Sequence, residues 1–180
     1  MYLYHINIGS NIGDSRSLLE RAVAAVSGLS RGVVRRSSVV ESEPWGFDSL
    51  NKFLNVGMEI SSQLPPDSLL ERLQAIERFI SPLSHRNPDG SYRDRLIDID
   101  MIFAARCAGE IPDAVNEEAI VRLETSELTL PHPRAWQRGF VTAPILELHP
   151  GFPLSALKAR QAESGRESGE GYGDKDREMV

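Results

Sequence analysis

The chain has 180 residues, 41% of them hydrophobic, and its 20 basic and 26 acidic side chains give a formal charge of −6. This composition suits one globular domain. Because no run approaches the ~18 to 20 apolar residues of a membrane span and no secretory signal is recognisable, we expect a cytoplasmic protein without a membrane partner. Cys107 is the only cysteine, which excludes an internal disulfide, and the negative charge without a basic block argues against nucleic-acid binding.

Strand and helix periodicities alternate along most of the chain. Every-other-residue patterns predict strands, whereas apolar residues at three- and four-residue steps predict amphipathic helices. In chain order we predict a strand at residues 2–8, a helix through 18–29, strands at 32–42 and 52–60, a helix from 65 to 80, a strand at 95–103, a short strand at 128–133, and short helical pieces at 134–138 and 141–148.

This order of elements predicts the fold class. We expect an α+β fold with a ferredoxin-like βαββαβ core, in which a mainly antiparallel sheet is the middle of three α-β-α layers. Within the strand at 95–103, alternation predicts that Ile97, Ile99, Met101 and Phe103 share one face and that Leu96, Asp98, Asp100 and Ile102 share the other.

The composition changes near residue 158. Residues 158–180 contain almost no apolar side chains and cannot bury enough surface to offset the entropy of ordering. We therefore expect one folded domain at residues 1–157 and a polar, mobile tail at 158–180. We also expect a monomer.

Asp98 and Asp100 form the strongest local signal for chemistry. Carboxylates two residues apart on a strand point the same way, with Cα atoms roughly 6.5 Å apart, so their oxygens can converge on one metal or bridge two. Hard oxygen ligands favour Mg²⁺. The alternative is that both acids lie on a solvated face of the strand and bind nothing. For an isolated pair of acids, that alternative would be the better interpretation. Leu96 and Ile102 are expected to cover this face partly, which favours the metal site.

Basic residues cluster around this pair in the sequence. Arg95 precedes the acidic strand, and Arg93 and Arg86 lie in the loop before it. Guanidinium groups beside metal-bound carboxylates suit phosphoryl transfer, in which charge stabilisation and positioning do most of the catalytic work. The alternative, that these arginines only pair with neighbouring acids, is equally compatible with the pattern. His132 and Arg138 add two further phosphate-capable donors.

A second group of residues predicts a slot for a flat ring. Phe53 and Asn55 lie on the strand face opposite its aliphatic residues, and Phe140 is available as a second aromatic wall. The amide of Asn55 offers both a donor and an acceptor to a heteroaromatic edge. The alternative is that a second helical layer buries Phe53 as core.

Seven motifs in a fixed order make the chain resemble the 6-hydroxymethyl-7,8-dihydropterin pyrophosphokinases of folate biosynthesis. They are IGSNIGD, SEPWGF, FLNVGMEI, AIER, RLIDIDMIF, LPHPR and RGFVTAPILEL, and they extend from about residue 3 to residue 150. The resemblance implies a ferredoxin-like domain, two Mg²⁺ ions, ATP as co-substrate, and transfer of diphosphate from ATP to the pterin hydroxymethyl group, leaving AMP.

The resemblance also implies roles for residues within these motifs. Asp98 and Asp100 would hold both Mg²⁺ ions, and Arg95 would bind phosphate beside them. The pterin would contact Ser42, Glu43, Trp45, Phe53, Asn55, Tyr92 and Phe140. ATP would contact Gln74, Glu77, Arg95, Met101, Thr129, His132 and Arg138.

One loop departs from the family pattern. Family members carry a Gly-Arg-x-Arg run after the second helix and a Trp-Gly-Pro before the metal strand, whereas this chain reads Ser-Pro-Leu-Ser at 81–84 and Tyr-Arg-Asp at 92–94. Tyr92 can replace the tryptophan as a lid over the ring. The replacement for the missing arginines is left open among His85, Arg86 and Arg93, of which we take Arg86 as the catalytic candidate.

Two other functions are compatible with the residues. The pair of acids also suits a different metal-dependent nucleotidyl or phosphoryl transferase, which would not need Phe53, Asn55 and Phe140 in one slot. The altered arginine loop is also compatible with a ferredoxin-like module that binds ligands but has lost catalysis. Pterin binding distinguishes the first alternative from a pterin pyrophosphokinase, and ATP turnover distinguishes the second.

Overall fold

The fold was analysed in a computed structural model that describes residues 1–83, 90 and 92–167, with side chains to residue 161. Its strands are β1 (Tyr2–Ser10), β2 (Arg35–Arg36), β3 (Val40–Ser42), β4 (Phe53–Ser62), β5 (Asp98–Arg106), β6 (Leu123–Glu124) and β7 (Thr129–Leu130). Its α-helices are α1 (Ser15–Ser27), α2 (Pro66–Ile80), α3 (Gly139–Leu148) and α4 (Leu154–Glu167), and 3-10 turns lie at Glu117–Ala119 and Ala135–Gln137.

The main sheet has the strand order that a ferredoxin-like core requires. Its order is β2-β4-β1-β5, β3 continues the β2 edge along β4, and every pairing is antiparallel. β6 and β7 form a separate two-stranded ribbon. The predicted ferredoxin-like fold is confirmed, although the predicted strand at 32–42 consists of two short strands.

Helices α1 and α2 cover one face of the sheet. The Asp14 side chain accepts a hydrogen bond from the Ser17 backbone amide at 3.1 Å and so caps α1, while Pro66 occupies the first turn of α2. Both helices turn aliphatic stripes towards Ile6, Val56 and Met58. This packing forms the first hydrophobic core.

The opposite face of the sheet carries a second core. Residues of α3, the turn at Ala135–Gln137 and the start of α4 pack there against β1 and β5, with Trp136 and Phe152 at the centre. The expected three α-β-α layers are therefore present. Within the described residues, no helix combines the length and apolar character needed to cross a membrane.

A β-bulge interrupts the alternation of β5. Ile6 pairs with Met101 and His5 pairs with Phe103, so that Ile102 is the extra residue. The predicted face of Phe103 is therefore wrong: Phe103 lies in the second core, stacked on His5, while Ile97, Ile99 and Met101 lie in the first.

Two other expectations about the chain differ from the structure. Leu96 packs against the first core and does not flank the acidic pair. The predicted domain boundary at residue 157 falls inside α4, which continues to Glu167 because Leu154 and Leu157 anchor its first turns to the second core. The expected tail beyond residue 167 lies outside the described residues.

Candidate active site

A cavity opens on the second face of the sheet, where β4, β1 and β5 meet the start of α3 and the loop after β3. The empty space between its walls, including the part that is open to solvent, is about 400 Å³. Its lining combines charged and amide groups with four aromatic rings. The polar residues are Asn7, Ser42, Glu43, Asn55, Arg95, Asp98, Asp100 and Arg138, and the aromatic residues are Trp45, Phe47, Phe53 and Phe140.

The strand register brings Asp98 and Asp100 together on the cavity side of β5. Asp98 lies opposite Gly9 of β1, and Asp100 lies opposite Asn7. Each carboxylate faces a guanidinium: Arg95 Nη1 contacts Asp98 Oδ2, and Arg138 Nη1 lies 3.5 Å from Asp100 Oδ2. The pairing of Arg95 with Asp98, which was one of the two sequence interpretations, is thus observed inside the cavity.

Burial and neighbouring charges act in opposite directions on the acidic groups of the cavity. Burial raises the pKa of Asp100, and the positive charges of Arg138 and Arg95 oppose that rise. On α2, burial raises the pKa of Glu77 to about 7, and the charges of Asp98 and Asp100 add to the rise, although its Oε2 accepts a hydrogen bond from the Ile99 amide at 2.8 Å. Burial thus disfavours the ionised forms of Asp100 and Glu77, whereas the guanidinium groups favour the ionised form of Asp100.

The donor set fits Mg²⁺. Two carboxylates line the cavity with their side chains partly exposed, and oxygen is the ligand atom that Mg²⁺ prefers. No cluster of three or more acidic, histidine or cysteine side chains suited to a metal occurs among the residues described. An ion held here would keep open positions for water or phosphate oxygens, as Mg²⁺ commonly does.

Phe53 and Asn55 begin β4 at the opposite side of the cavity. Phe47 packs edge-on against Phe53, with ring centroids 6.3 Å apart and an interplanar angle of 89°. The Asn55 Nδ2 donates to Ser42 Oγ at 3.0 Å, which ties the amide to β3. Phe53 therefore lines a cavity as well as packing, and Asn55 is held in a fixed orientation.

An arc of alternating aromatic rings and guanidinium groups surrounds the cavity. The guanidinium of Arg95 lies between the rings of Phe53 and Tyr92, that of Arg134 between Tyr92 and Trp45, and that of Arg138 between Trp45 and Phe140. The distances from guanidinium carbon to ring centroid range from 4.5 Å for Arg138 and Trp45 to 5.9 Å. The two ends of this arc are Phe53 and Phe140.

His132 lies beside the same arginines. Burial lowers the pKa of His132 to about 4, and the charges of Arg138 and Arg134 lower it further. Its Nδ1 accepts a hydrogen bond from the Arg134 amide at 3.2 Å, which leaves Nε2 as the protonated nitrogen of a neutral ring. His132 is thus a neutral hydrogen-bond donor at neutral pH.

The other predicted residues lie at varying distances from the cavity. Gln74 is exposed on α2, and Met101 is only 4% exposed because its side chain belongs to the first core. Thr129 lines a separate groove between β7 and α4. Arg93 is exposed, whereas His85 and Arg86 lie outside the described residues.

Sequence reasoning did not assign roles to Arg134, Asn7 or Phe47. Arg134 donates to the Tyr92 hydroxyl at 2.8 Å and forms no ion pair among the residues described. Strand alternation places Asn7 on the same face as Gly9, and this pattern could have identified Asn7 as a cavity residue from the sequence. Arg134 carried no such signal, because its position depends on how the turn after β7 folds back.

The loop after β1 has a structural part in the site. Asn11 Oδ1 accepts from the Arg95 amide at 2.8 Å, and Asn11 Nδ2 donates to Asp94 at 2.7 Å. Asn51 binds the other oxygen of Asp94, also at 2.7 Å. These bonds fix the backbone that presents Arg95 to the cavity, so the GSNIGD segment here anchors the start of β5.

Comparison with known proteins shows that residues 5–150 match the sequence model of one family, the 7,8-dihydro-6-hydroxymethylpterin-pyrophosphokinases. A 2-amino-4-hydroxy-6-hydroxymethyldihydropteridine pyrophosphokinase of Porphyromonas gingivalis is 35% identical over 161 residues, covering 87% of this chain and all of that protein. Its counterpart in Bacillus subtilis is 33% identical over 162 residues, with 89% and 86% covered. A solved HPPK-DHPS structure in complex with substrates aligns with a TM-score of 0.57 at 12% identity over 92% of this chain, and this chain spans 44% of it, which shows likeness of fold.

Proposed function

The chain belongs to the 7,8-dihydro-6-hydroxymethylpterin-pyrophosphokinase family, and we propose that it transfers diphosphate from ATP to 6-hydroxymethyl-7,8-dihydropterin in folate biosynthesis, releasing AMP. One observation carries this proposal. A single cavity contains two phenylalanine walls, an oriented amide and a pair of carboxylates flanked by guanidinium groups. A phosphoryl transferase with an unrelated acceptor would not need the aromatic slot.

The separation between the two ends of the slot suits a bicyclic ring. Asn55 and Asp98 lie opposite Gly9 on either side of β1, so two strand spacings, roughly 10 Å, separate them. A bicyclic ring that lies over Gly9 between Phe53 and Phe140 would present its amide edge to Asn55. Its hydroxymethyl group would then reach the acids. Ser42 and Glu43 border the amide edge, and Trp45 and Tyr92 cover the ring from the arc.

Asp98 and Asp100 would hold the Mg²⁺, and we propose two ions there. When bound, Mg²⁺ supplies charge neutralisation for the phosphates and lowers the pKa of a coordinated hydroxyl. No side chain among those described is placed as an obvious general base. The hydroxymethyl oxygen forms a bond to the β-phosphorus, the bond from that phosphorus to the oxygen shared with the α-phosphate breaks, AMP leaves with the electron pair, and the hydroxyl proton passes to water.

The arginine arc is proposed to bind the phosphates. Arg95 and Arg138 neutralise the acids in the structure and become available to phosphate oxygens once cations take over that pairing. Arg134 is a third guanidinium, and its positive charge lowers the pKa of Asp100. We propose that it supplies charge that the family's loop arginines would supply, beside the protonated Nε2 of His132.

The proposed position of the adenosine part of ATP rests on the resemblance of this chain to the pyrophosphokinase family. Gln74, Glu77, Met101 and Thr129 are proposed to lie along it, with Met101 contributing through its backbone because its side chain is in the core. Every residue proposed to touch a substrate comes from one chain. We also propose that the protein works as a cytoplasmic monomer.

The reaction is tested by product identification. The purified full chain is incubated with ATP, Mg²⁺ and 6-hydroxymethyl-7,8-dihydropterin, and nucleotides are separated by chromatography. We expect AMP in equal amount to the pterin diphosphate, and none when Mg²⁺ is chelated or when Asp98→Asn replaces the wild type. ADP as the product would indicate a different phosphoryl transfer, and pterin binding without nucleotide turnover would indicate a binding module.

A further inference from the structure

Asn7 is a buried amide with an unused acceptor. Its side chain lines the active-site cavity, the residue is only 5% exposed, and its Oδ1 has no hydrogen-bond partner among the residues described. Two other unpaired polar atoms, the Nε atoms of Arg95 and Arg138, belong to cavity residues to which phosphate binding has already been assigned. Asn7 is the neutral member of this group, and the proposed reaction gives it no role.

The neighbours of Asn7 define which part of the slot it faces. On one side of β1 it pairs with Gly57, above which Pro144 of α3 leaves no room even for a β-carbon. On the other side it pairs with Asp100. Asn55 and Asp98, which mark the two ends of the proposed ring, flank Gly9 two residues further along β1. Asn7 therefore lies beside the middle of the slot, at its closed inner edge.

An acceptor at this place calls for a donor on the ligand. A buried amide oxygen without a partner destabilises the folded protein, because its lost hydration is not replaced. With the amide edge of the ring at Asn55 and the hydroxymethyl group at the acids, one of the two long edges is left for Asn7. The long edge with O4 and N5 carries acceptors only, so the edge with N8 is the one that can donate to Asn7. A 7,8-dihydropterin consists of a pyrimidine ring fused to a reduced pyrazine ring, and N8–H is the one hydrogen-bond donor of the reduced pyrazine ring.

We propose that Asn7 accepts a hydrogen bond from the N8–H of the reduced pterin and so sets the preference of this enzyme for the dihydro form. In the fully oxidised ring, N8 is itself an acceptor and would face the Asn7 oxygen without a proton between them. A site built to bind an N–H discriminates against an analogue that lacks it, because its own buried group is then left unpaired. The inference rests on the proposed function, since it presupposes a pterin in this slot.

Binding measurements with two ring oxidation states test this role without requiring turnover. Dissociation constants for 6-hydroxymethyl-7,8-dihydropterin and for oxidised 6-hydroxymethylpterin are measured by titration calorimetry, with Mg²⁺ and a non-hydrolysable ATP analogue present. We expect Asn7→Ala to weaken binding of the reduced ring by about threefold to tenfold. Binding of the oxidised ring should stay within about twofold of the wild type, so that the preference for the reduced ring narrows.

A matched variant separates this effect from a change in packing. Ser81→Ala also removes a buried polar atom that has no partner among the described residues, and Ser81 does not line the cavity. It should leave both ring affinities unchanged. Thermal midpoints of both variants at or above that of the wild type would show that each remains folded.

The outcomes distinguish this inference from the proposed function. If wild type binds the reduced ring but Asn7→Ala binds both rings as wild type does, or weakens both equally, the inference is wrong and the proposed function stands. If wild type binds neither ring, both are wrong. Only a loss confined to the reduced ring supports the role of Asn7.

Discussion

Gly9 of β1 lies directly across from Asn55 of β4, and a β-carbon built on Gly9 would sit 3.0 Å from the Asn55 Oδ1 and 3.5 Å from Phe53 Cδ1. The absence of a side chain at Gly9 thus keeps the floor of the slot open. Gly9→Ala should crowd both groups and weaken pterin binding on the order of tenfold, measured by calorimetry with an ATP analogue present. Affinity for the ATP analogue alone should not change.

A matched glycine provides the control for this substitution. A β-carbon at Gly151 would meet nothing within 4 Å, so Gly151→Ala should leave pterin affinity as it is. Unchanged pterin affinity in Gly9→Ala would mean that the ring does not lie over β1.

Asn55→Ala tests the recognition of the amide edge. The Asn55 amide is oriented by Ser42 and is the side chain proposed to bind the ring edge. Its removal should raise the dissociation constant for the pterin by about tenfold or more, because hydrogen bonds to a buried ligand edge are lost. An ATP analogue should bind within about twofold of wild type.

The exposed Asn116 provides a comparison far from the cavity. Asn116→Ala should change neither affinity. An equal loss of pterin and nucleotide affinity in Asn55→Ala would contradict its assignment to the ring.

Much of the fold follows from local pattern, and the exceptions have physical reasons. The stripes of α1 and α2 and the alternation of β4 were predictable, since each buries one face against a single core. The face of Phe103 was not, because one inserted residue in β5 shifts every later side chain to the opposite face. Helix α4 was missed because only Leu154 and Leu157 of its first turns are apolar anchors.

The residues of the site also differ in how far local sequence pattern predicts their positions. Phe53, Asn55, Asp98 and Asp100 lie at alternating positions of strands, so their convergence could be inferred from periodicity. The contact of Arg134 with Trp45 and Tyr92 joins three loops that are distant in sequence. No single-strand or single-helix pattern contains such a contact, and tertiary packing alone decides it.

Arg134→Met tests the third guanidinium of the arc. Methionine preserves an unbranched, apolar stem but removes the charge, so phosphate stabilisation in the transition state should fall. We expect kcat to drop on the order of a hundredfold in an AMP-release assay at saturating Mg²⁺. Arg16→Met, on the exposed side of α1, should retain wild-type kcat. A wild-type kcat in Arg134→Met would remove Arg134 from the phosphate site.

A buried charge cluster behind the slot joins the sheet to the end of α3. Glu59 Oε1 lies 3.2 Å from His5 Nδ1 and 2.9 Å from His149 Nε2, and the three side chains are almost completely buried. Burial alone would raise the pKa of Glu59, but hydrogen bonds from His149 and His5 outweigh it and lower that pKa below its ordinary 4.5. Burial opposes the charged form of His149, yet Glu59 raises the pKa of His149 above its ordinary 6.5.

Glu59→Gln should therefore destabilise the fold in a pH-dependent way. The stabilisation from Glu59 is present above pH 4.5 and is lost as the pH falls through its lowered folded pKa. The stabilisation from protonated His149 is present below pH 6.5 and is lost as the pH rises through its raised folded pKa. We expect the free energy of unfolding to fall by about 3 kcal/mol near pH 6, measured by urea denaturation.

The difference between Glu59→Gln and wild type should narrow towards both pH 4 and pH 9. Glu20→Gln, which breaks the exposed pair with Arg36, should leave the free energy of unfolding close to that of the wild type at every pH. A loss that is the same at every pH would show that Glu59 acts by packing alone.

The central claim is that one pair of carboxylates joins a pterin slot to a triphosphate. A crystal structure of the full chain with Mg²⁺, a non-hydrolysable ATP analogue and 6-hydroxymethyl-7,8-dihydropterin tests it most directly. We predict metal density on oxygens of both Asp98 and Asp100, with the ring between Phe53 and Phe140 and its hydroxymethyl oxygen facing the β-phosphorus. Ligands bound elsewhere, with both carboxylates still paired only to Arg95 and Arg138, would contradict it.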